Sequence, residues 1–184
     1  VGNGRETAAS IQAKFDGLPN ELKQRFKDFG NQLITVPDSV ADAFPSLTGK
    51  TAPGWGKVTW DKIPGGYIDF SVEENAWKSP RALVVSLSGK YGNGSSDLFY
   101  HEFGHSIDPR GVLSSAPLFD VARRRDFYGR HDINPYFKGD PKEHFAEGVA
   151  RYYSRDKSLK RDWPETYDYM KSLPKCLSAN GGCQ

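Results

Sequence analysis

The chain has 184 residues, 37% hydrophobic and 26% charged, with a formal net charge of +2. That length is enough for one domain to bury roughly two-thirds of its chain surface unaided. Near-balanced charge argues against nucleic acid or an anionic membrane as the main partner, and no apolar run reaches the length of a membrane span.

In chain order, residues 5–16 and 20–31 are predicted as helices. Ile11, Phe15 and Leu18, then Leu22, Phe26, Phe29 and Leu33, keep three-and-four spacing on one face, with Gly17 and Pro19 at the break. Strands are predicted over 33–36, 66–72 and 81–87. The last is apolar enough to be central to a sheet. A Gly-rich stretch follows, carrying a glycosylation sequon at Asn93-Gly94-Ser95 that matters only in a eukaryotic source.

A further helix starts at Ser95, Ser96 and Asp97 and is closed by Pro109-Arg110-Gly111. Helices near 117–126, 141–154 and 164–173 complete the pattern. The run Arg123-Arg124-Arg125 reads as a solvated helix end. Cys176 and Cys183 bracket a Gly-containing tail loop, so a disulfide is expected, which suits an oxidising compartment. The chain opens at Val1, as a mature secreted or trimmed protein does, so secretion is expected.

The motif with chemical content is His101-Glu102-Phe103-Gly104-His105. Residues four apart share a helix face, so two imidazoles can grip one metal ion, with Glu102 beside it to take a proton from water. A catalytic zinc site needs a third protein ligand and an open position. A third histidine six residues after His105 would continue a metzincin motif, but Gly111 stands there, and Asp108 stands where that motif has glycine. A deformylase would place a cysteine ligand upstream, yet both cysteines are in the tail.

The remaining source is a carboxylate on a later helix. Residues 141–153 begin with Asp140 as cap and Pro141 in the first turn, and Phe145 and Val149 make an apolar stripe. Glu143 and Glu147, four apart, project from one face. One can touch the metal while the other accepts the ring N–H of a metal-bound histidine; the bland alternative leaves both solvated. His144 points about a hundred degrees away from Glu143 and cannot readily join it at one metal. His131 reads as a loop or cleft residue. Asp126 is an alternative third ligand, because Asp126-Phe127-Tyr128-Gly129 resembles the aspzincin motif, with one residue rather than two between Asp and Tyr.

Taken together, HEFGHSID, then Tyr136, then Glu143 and Phe145-Ala146-Glu147, resemble the metalloprotease domain of anthrax lethal factor and its relatives, in particular the compact secreted Pro-Pro endopeptidases. Pro53-Gly54-Trp55, Thr59-Trp60-Asp61, Ile63-Pro64-Gly65 and the segment Trp163 to Tyr167 add to the likeness. The resemblance implies a zinc endopeptidase that hydrolyses peptide bonds with a zinc-activated water, with His101, His105 and Glu143 as ligands and Glu102 as general base. Glu147 would orient a ligand histidine, and Tyr136 would stabilise the oxyanion from a loop entering the Glu143 helix.

It also implies an α+β, zincin-like domain in which a small mixed sheet lies beside the HExxH helix and further helices complete the cleft. Residues 1–184 read as one unit: N-terminal helices over 1–32, sheet and motif helix over 33–112, C-terminal helices with the third ligand over 113–175, and a tail over 176–184. The expected partner is a protein or peptide substrate, and the chain is expected to be a monomer. Trp55 and Trp60 are expected either as an aromatic wall for proline or as core. Pro53 stands where the Pro-Pro endopeptidases have a lysine before Gly-Trp, and the loop is shorter. Outside enzymology, the remaining reading is a non-catalytic, toxin-associated binding domain on the same fold.

Overall fold

The apolar run over 81–87 is central, and the rest of the architecture is arranged around it. In the computed structural model, which describes residues 5–53, 56–69, 81–90, 94–128 and 135–178, strand β3 (Arg81–Ser86) lies between β1 (Asn31–Val36) and β2 (Gly65–Asp69). β1 runs parallel to β3 with Leu33 opposite Leu83, and β2 runs antiparallel with Tyr67 opposite Leu83. The sheet is therefore small and mixed, as expected.

A strand covered on both faces needs apolar residues at successive positions, not only at alternate ones. Ala82, Leu83, Val84 and Val85 are each at most 1% exposed. Leu83 and Val85 join the main core with Phe99, Phe103 and Phe145. Ala82 and Val84 face a smaller cluster with Val36, Val40, Ile63 and Ile68. Trp60, in a short 3₁₀ turn at Trp60–Lys62, packs against that smaller cluster. Trp60 is partly buried there, and Trp55 lies outside the described residues.

Helices α1 (Ala8–Asp16) and α2 (Asn20–Asp28) precede the sheet. The second ends earlier than its periodicity predicts, because Gly30 takes φ +70 and Asn31 already belongs to β1. The Asn31 side-chain amide donates to the Ser106 carbonyl at 2.8 Å, tying the sheet to the end of the motif helix. Short α3 (Val40–Ala43) links β1 to the 3₁₀ turns.

The HExxH segment forms α4 (Leu98–Ile107), with the Asp97 carboxylate accepting the Tyr100 amide as N-cap. Phe99, Phe103 and Ile107 are buried along its core side. Then come α5 (Pro117–Phe127), α6 (Pro135–Gly139), α7 (Pro141–Tyr153), α8 (Leu159–Asp162) and α9 (Pro164–Ser178). Asp140 caps α7 by accepting the Lys142 amide, as predicted. Tyr136 sits on α6, where a loop is expected from sequence. Among the described residues no helix is long and apolar enough to cross a membrane.

Two further expectations are corrected. Arg124 and Arg125 are solvated, but the Arg123 side chain is only 16% exposed and donates to the Lys138 carbonyl, holding α6 against α5. Asp126 does not join His101, His105 and Glu143, the group whose ligand atoms converge. It is buried on α5, where its two oxygens accept the backbone amides of Glu165 and Thr166 at 3.0 and 2.8 Å. Those are orphan donors of the first turn of α9, so Asp126 is a cap supplied from another helix. Asp126→Ala is expected to leave bound metal unchanged and to cost about 1–3 kcal/mol of stability by stranding buried donors. Thermal unfolding beside metal analysis checks it; loss of metal at unchanged stability would return Asp126 to the ligand set.

Candidate metal centre

Two helices build the centre, and their close approach follows from residue size. A Cβ added at Gly104 would lie 2.7 Å from the Ala146 Cα and 3.2 Å from its Cβ. Gly104 stands between Glu102 and His105 on α4, and Ala146 stands between Glu143 and Glu147 on α7. Small residues at the crossing thus let both functional faces meet.

The His101 and His105 rings face each other with centroids 5.0 Å apart. Glu143 Oε2 lies 3.3 Å from His101 Nε2 and 3.4 Å from His105 Nε2. That oxygen is nevertheless buried without a properly directed hydrogen bond among the described residues. Three ligand atoms converging within 4.8 Å of one another, with no proton geometry among them, are what a shared cation would satisfy. The set fits zinc: two imidazoles and one carboxylate on two rigid helices.

Glu147 meets the other side of His101. Its Oε2 is 3.3 Å from His101 Nδ1 and accepts the Ser95 hydroxyl at 2.6 Å, while Oε1 accepts the Ser96 amide at 3.1 Å. A carboxylate held in this way fixes the ring's orientation and leaves Nε2 for the metal side. Burial by itself would lower the His101 pKa, but Glu143 and Glu147 outweigh it and hold it up at about 10. The two carboxylates demand positive charge there, and a metal ion answers the same demand. Burial would raise Glu143, yet His101, His105 and Tyr136 hold it well below the usual carboxylate range.

The Ser95 contact is not legible in the sequence, where Ser-Ser-Asp before a helix reads as capping. Only Asp97 caps. Ser95, 3% exposed, is given to Glu147 instead. Ser95→Ala is expected to weaken metal affinity by about 10–100-fold while the fold persists, as outer hydrogen-bond partners of metal-binding histidines do. Competition with a chromophoric chelator measures it; an unchanged dissociation constant would reduce Ser95 to a loop residue.

Tyr136 is half exposed, and its hydroxyl bonds the Glu143 carboxylate. Burial first, then Glu143, pushes its pKa up, so the phenol stays a proton donor. The Glu102 carboxylate, 7% exposed, is close enough for its charge to act on both His101 and Tyr136. His144 faces away from the centre, as the helical angle requires. It is fully buried, its Nε2 lies 2.9 Å from Thr166 Oγ1, and its ring packs on Trp163 and Phe127. Burial, then Arg123 and Arg151, lowers its pKa to about 3, so it is a neutral core residue. His131, Asn93 and Cys183 lie outside the described residues, while Cys176 is in the last turns of α9.

Comparison with known proteins bears on the family and the fold. The profile of the family described as anthrax toxin lethal factor, N- and C-terminal domain, matches residues 3–173. The chain is similar in structure to the Pro-Pro endopeptidase of Paenibacillus alvei, with a TM-score of 0.70, 22% identity and 90% of each chain covered. At that identity the likeness is one of fold. A DNA polymerase IV of Shewanella sp. (strain ANA-3) is 31% identical over 84 residues, 46% of this chain but only 21% of the polymerase. So short a part of that protein shows no family.

Proposed function

The chain belongs to the family of the anthrax toxin lethal factor N- and C-terminal domain, and from that premise we propose that it is a secreted zinc endopeptidase. The observation that carries the reading is the convergence of His101 Nε2, His105 Nε2 and Glu143 Oε2 from two helices, with Glu102 and Tyr136 at its edge. Zinc bound there supplies Lewis acidity to the scissile carbonyl and makes water nucleophilic near neutral pH. Glu102 accepts a proton from the attacking water as its oxygen bonds to the carbonyl carbon. The same carboxyl then delivers that proton to the leaving amine as the C–N bond breaks. Glu147, tied to Ser95 and Ser96, keeps the His101 ring in place throughout.

Tyr136 donates a hydrogen bond from its hydroxyl to the carbonyl oxygen that gains negative charge, swinging off Glu143 to do so and keeping its proton. Tyr136→Phe is expected to lower kcat by about 10²–10³-fold with little change in KM, the mark of a contact made in the transition state. Steady-state kinetics on a defined peptide checks this, and an unchanged kcat would take Tyr136 out of the chemistry.

Proline beside the cut is the proposed preference. It is supported by the sequence likeness around Trp55 and Trp60 and by the shared fold with a Pro-Pro endopeptidase. Secretion and a Cys176–Cys183 disulfide belong to the same proposal, and two reactive thiols in the unreduced chain would remove the disulfide. Elemental analysis for one zinc per chain, combined with cleavage of a peptide library, tests the whole reading. A protein without zinc, or one that cuts nothing, overturns it; a library profile indifferent to proline retires the preference alone.

A further inference from the structure

Helix α7 ends, ten residues after Glu143, in a place unrelated to the metal. The Asp156 amide bonds the Arg151 carbonyl at 2.9 Å and the Arg155 amide bonds the Tyr152 carbonyl at 3.2 Å. This is a Schellman closure, whose left-handed position is usually glycine because a Cβ is penalised there. Here that position is Arg155, at φ +60 the one non-glycine residue with positive φ among the described residues. An arginine at this corner costs stability relative to glycine.

Arg155 borders a groove of about 990 Å³ between α1, the start of α4 and the α7–α9 region. Its wall carries four tyrosines in a row. Ring centroids are 6.0 Å apart from Tyr100 to Tyr153, 5.2 Å from Tyr153 to Tyr152, and 5.4 Å from Tyr152 to Tyr167. The Tyr153 hydroxyl is buried with no hydrogen-bond partner among the described residues.

The charges around the row divide into two groups. Lys14 is paired with Glu6 and Asp97, and Arg151 with Asp156 and Asp162. Arg155, Lys157 and Lys160 are exposed and make no ion pair among the described residues, although Lys160 lies over the Tyr167 ring. The groove thus offers three cations without an ion-pair partner among the described residues, along an aromatic wall. It is too large for a lone oxyanion. A nucleic-acid strand would call for an extended basic stripe, whereas the cations here occupy one short segment of a chain with net charge +2.

We propose that this groove is an exosite that binds an acidic, aromatic-containing stretch of polypeptide through Arg155, Lys157 and Lys160 and the tyrosine row. Resting on the endopeptidase reading, that stretch belongs to the substrate, outside the cleaved bond. Glu143 and Tyr153 are about 15 Å apart along α7, a span of roughly five extended residues. An acidic patch so spaced is held while the cut is made, raising the local concentration of the scissile segment.

The test measures binding without turnover. Fluorescence anisotropy is followed with the full chain carrying Glu102→Gln. The probes are a labelled eight-residue peptide of Glu and Asp with a central Tyr, the same peptide with Gln and Asn for Glu and Asp, and an eight-nucleotide oligothymidylate. The acidic peptide is expected to bind at least tenfold more tightly than its neutral counterpart. Combined Arg155→Glu, Lys157→Glu and Lys160→Glu should cost at least tenfold in that affinity.

Arg155→Gly separates binding from structure: Tm should rise by about 2–4 °C as the strain is relieved, while acidic-peptide affinity falls. Equal binding of acidic and neutral peptides, or no effect of charge reversal, overturns the exosite. Oligothymidylate binding as tightly as the acidic peptide overturns its assignment to polypeptide. In the otherwise wild-type chain, an acidic extension should lower the KM of a cleavable peptide, and charge reversal should erase that gain without changing turnover of the unextended peptide. Failed binding with intact cleavage sinks the exosite alone; intact binding with no cleavage sinks the peptidase reading, and with it the assignment of the bound stretch to a substrate, while the polypeptide-binding groove stands.

Discussion

Glu102→Gln is expected to lower peptide cleavage by about 10²–10⁴-fold while leaving bound zinc and thermal stability unchanged. The side chain keeps its size and loses its charge, so the substitution removes the proton acceptor without touching a ligand of the proposed metal. Glu102 is 7% exposed, and its charge acts on His101 and Tyr136, which puts it beside the proposed metal site. The check is kcat/KM on a cleavable peptide beside zinc content and Tm for the same preparations. Near-wild-type turnover would refute the hydrolytic reading, because no other described carboxylate occupies that place in the motif.

Gly104→Ala is expected to act in the opposite direction to ordinary helix propensity. In an exposed helix the change gains roughly 1 kcal/mol. Here the new methyl would stand 2.7 Å from the Ala146 Cα, a backbone atom that cannot move aside by turning a side chain. Helices α4 and α7 must separate, at a cost of about 1–3 kcal/mol of stability. Because the ligands lie on both sides of that crossing, the same separation draws Glu143 and Glu147 away from the histidines. Cleavage should fall by on the order of 10²-fold, the penalty of a misplacement near 1 Å, and zinc should be released more readily to a chelator.

Ala146→Gly in the same chain should recover part of the loss, a coupling expected only of residues in contact. Full activity and raised stability in the single variant would show that the crossing tolerates a side chain.

The motif helix and its carboxylate partner were legible because helical spacing is local geometry. His101 and His105, four apart, and Glu143 and Glu147, four apart, had to present paired faces wherever the helices lay. His144 was equally legible, since its angle on the helix turns it from Glu143. The strand at 81–87 could be called central because it is apolar at successive positions. Asp126 misled for the opposite reason. Its likeness to a ligand motif was a pattern in the chain, whereas its use, capping α9 from α5, is a contact between residues 39 and 40 positions apart. Arg123 reads as solvated on the same local grounds, whereas its contact with the Lys138 carbonyl depends on where α6 lies.

By itself the sequence determined the identities that chemistry needs and the faces on which they lie: two imidazoles and Glu102 on one helix, two carboxylates on another, and an apolar strand to pack beneath. Tertiary structure decided which carboxylate meets which nitrogen. Glu143 reaches both Nε2 atoms while Glu147 takes Nδ1 of His101, and nothing in their shared spacing distinguishes those roles. It also gave Ser95 to Glu147, Asp126 to α9, and left Arg155 strained beside a row of tyrosines. The physical reason is range. Spacing along one helix follows from a rise of about 1.5 Å and a turn of about 3.6 residues, but the distance between two helices depends on the atoms at their crossing, here a glycine against an alanine.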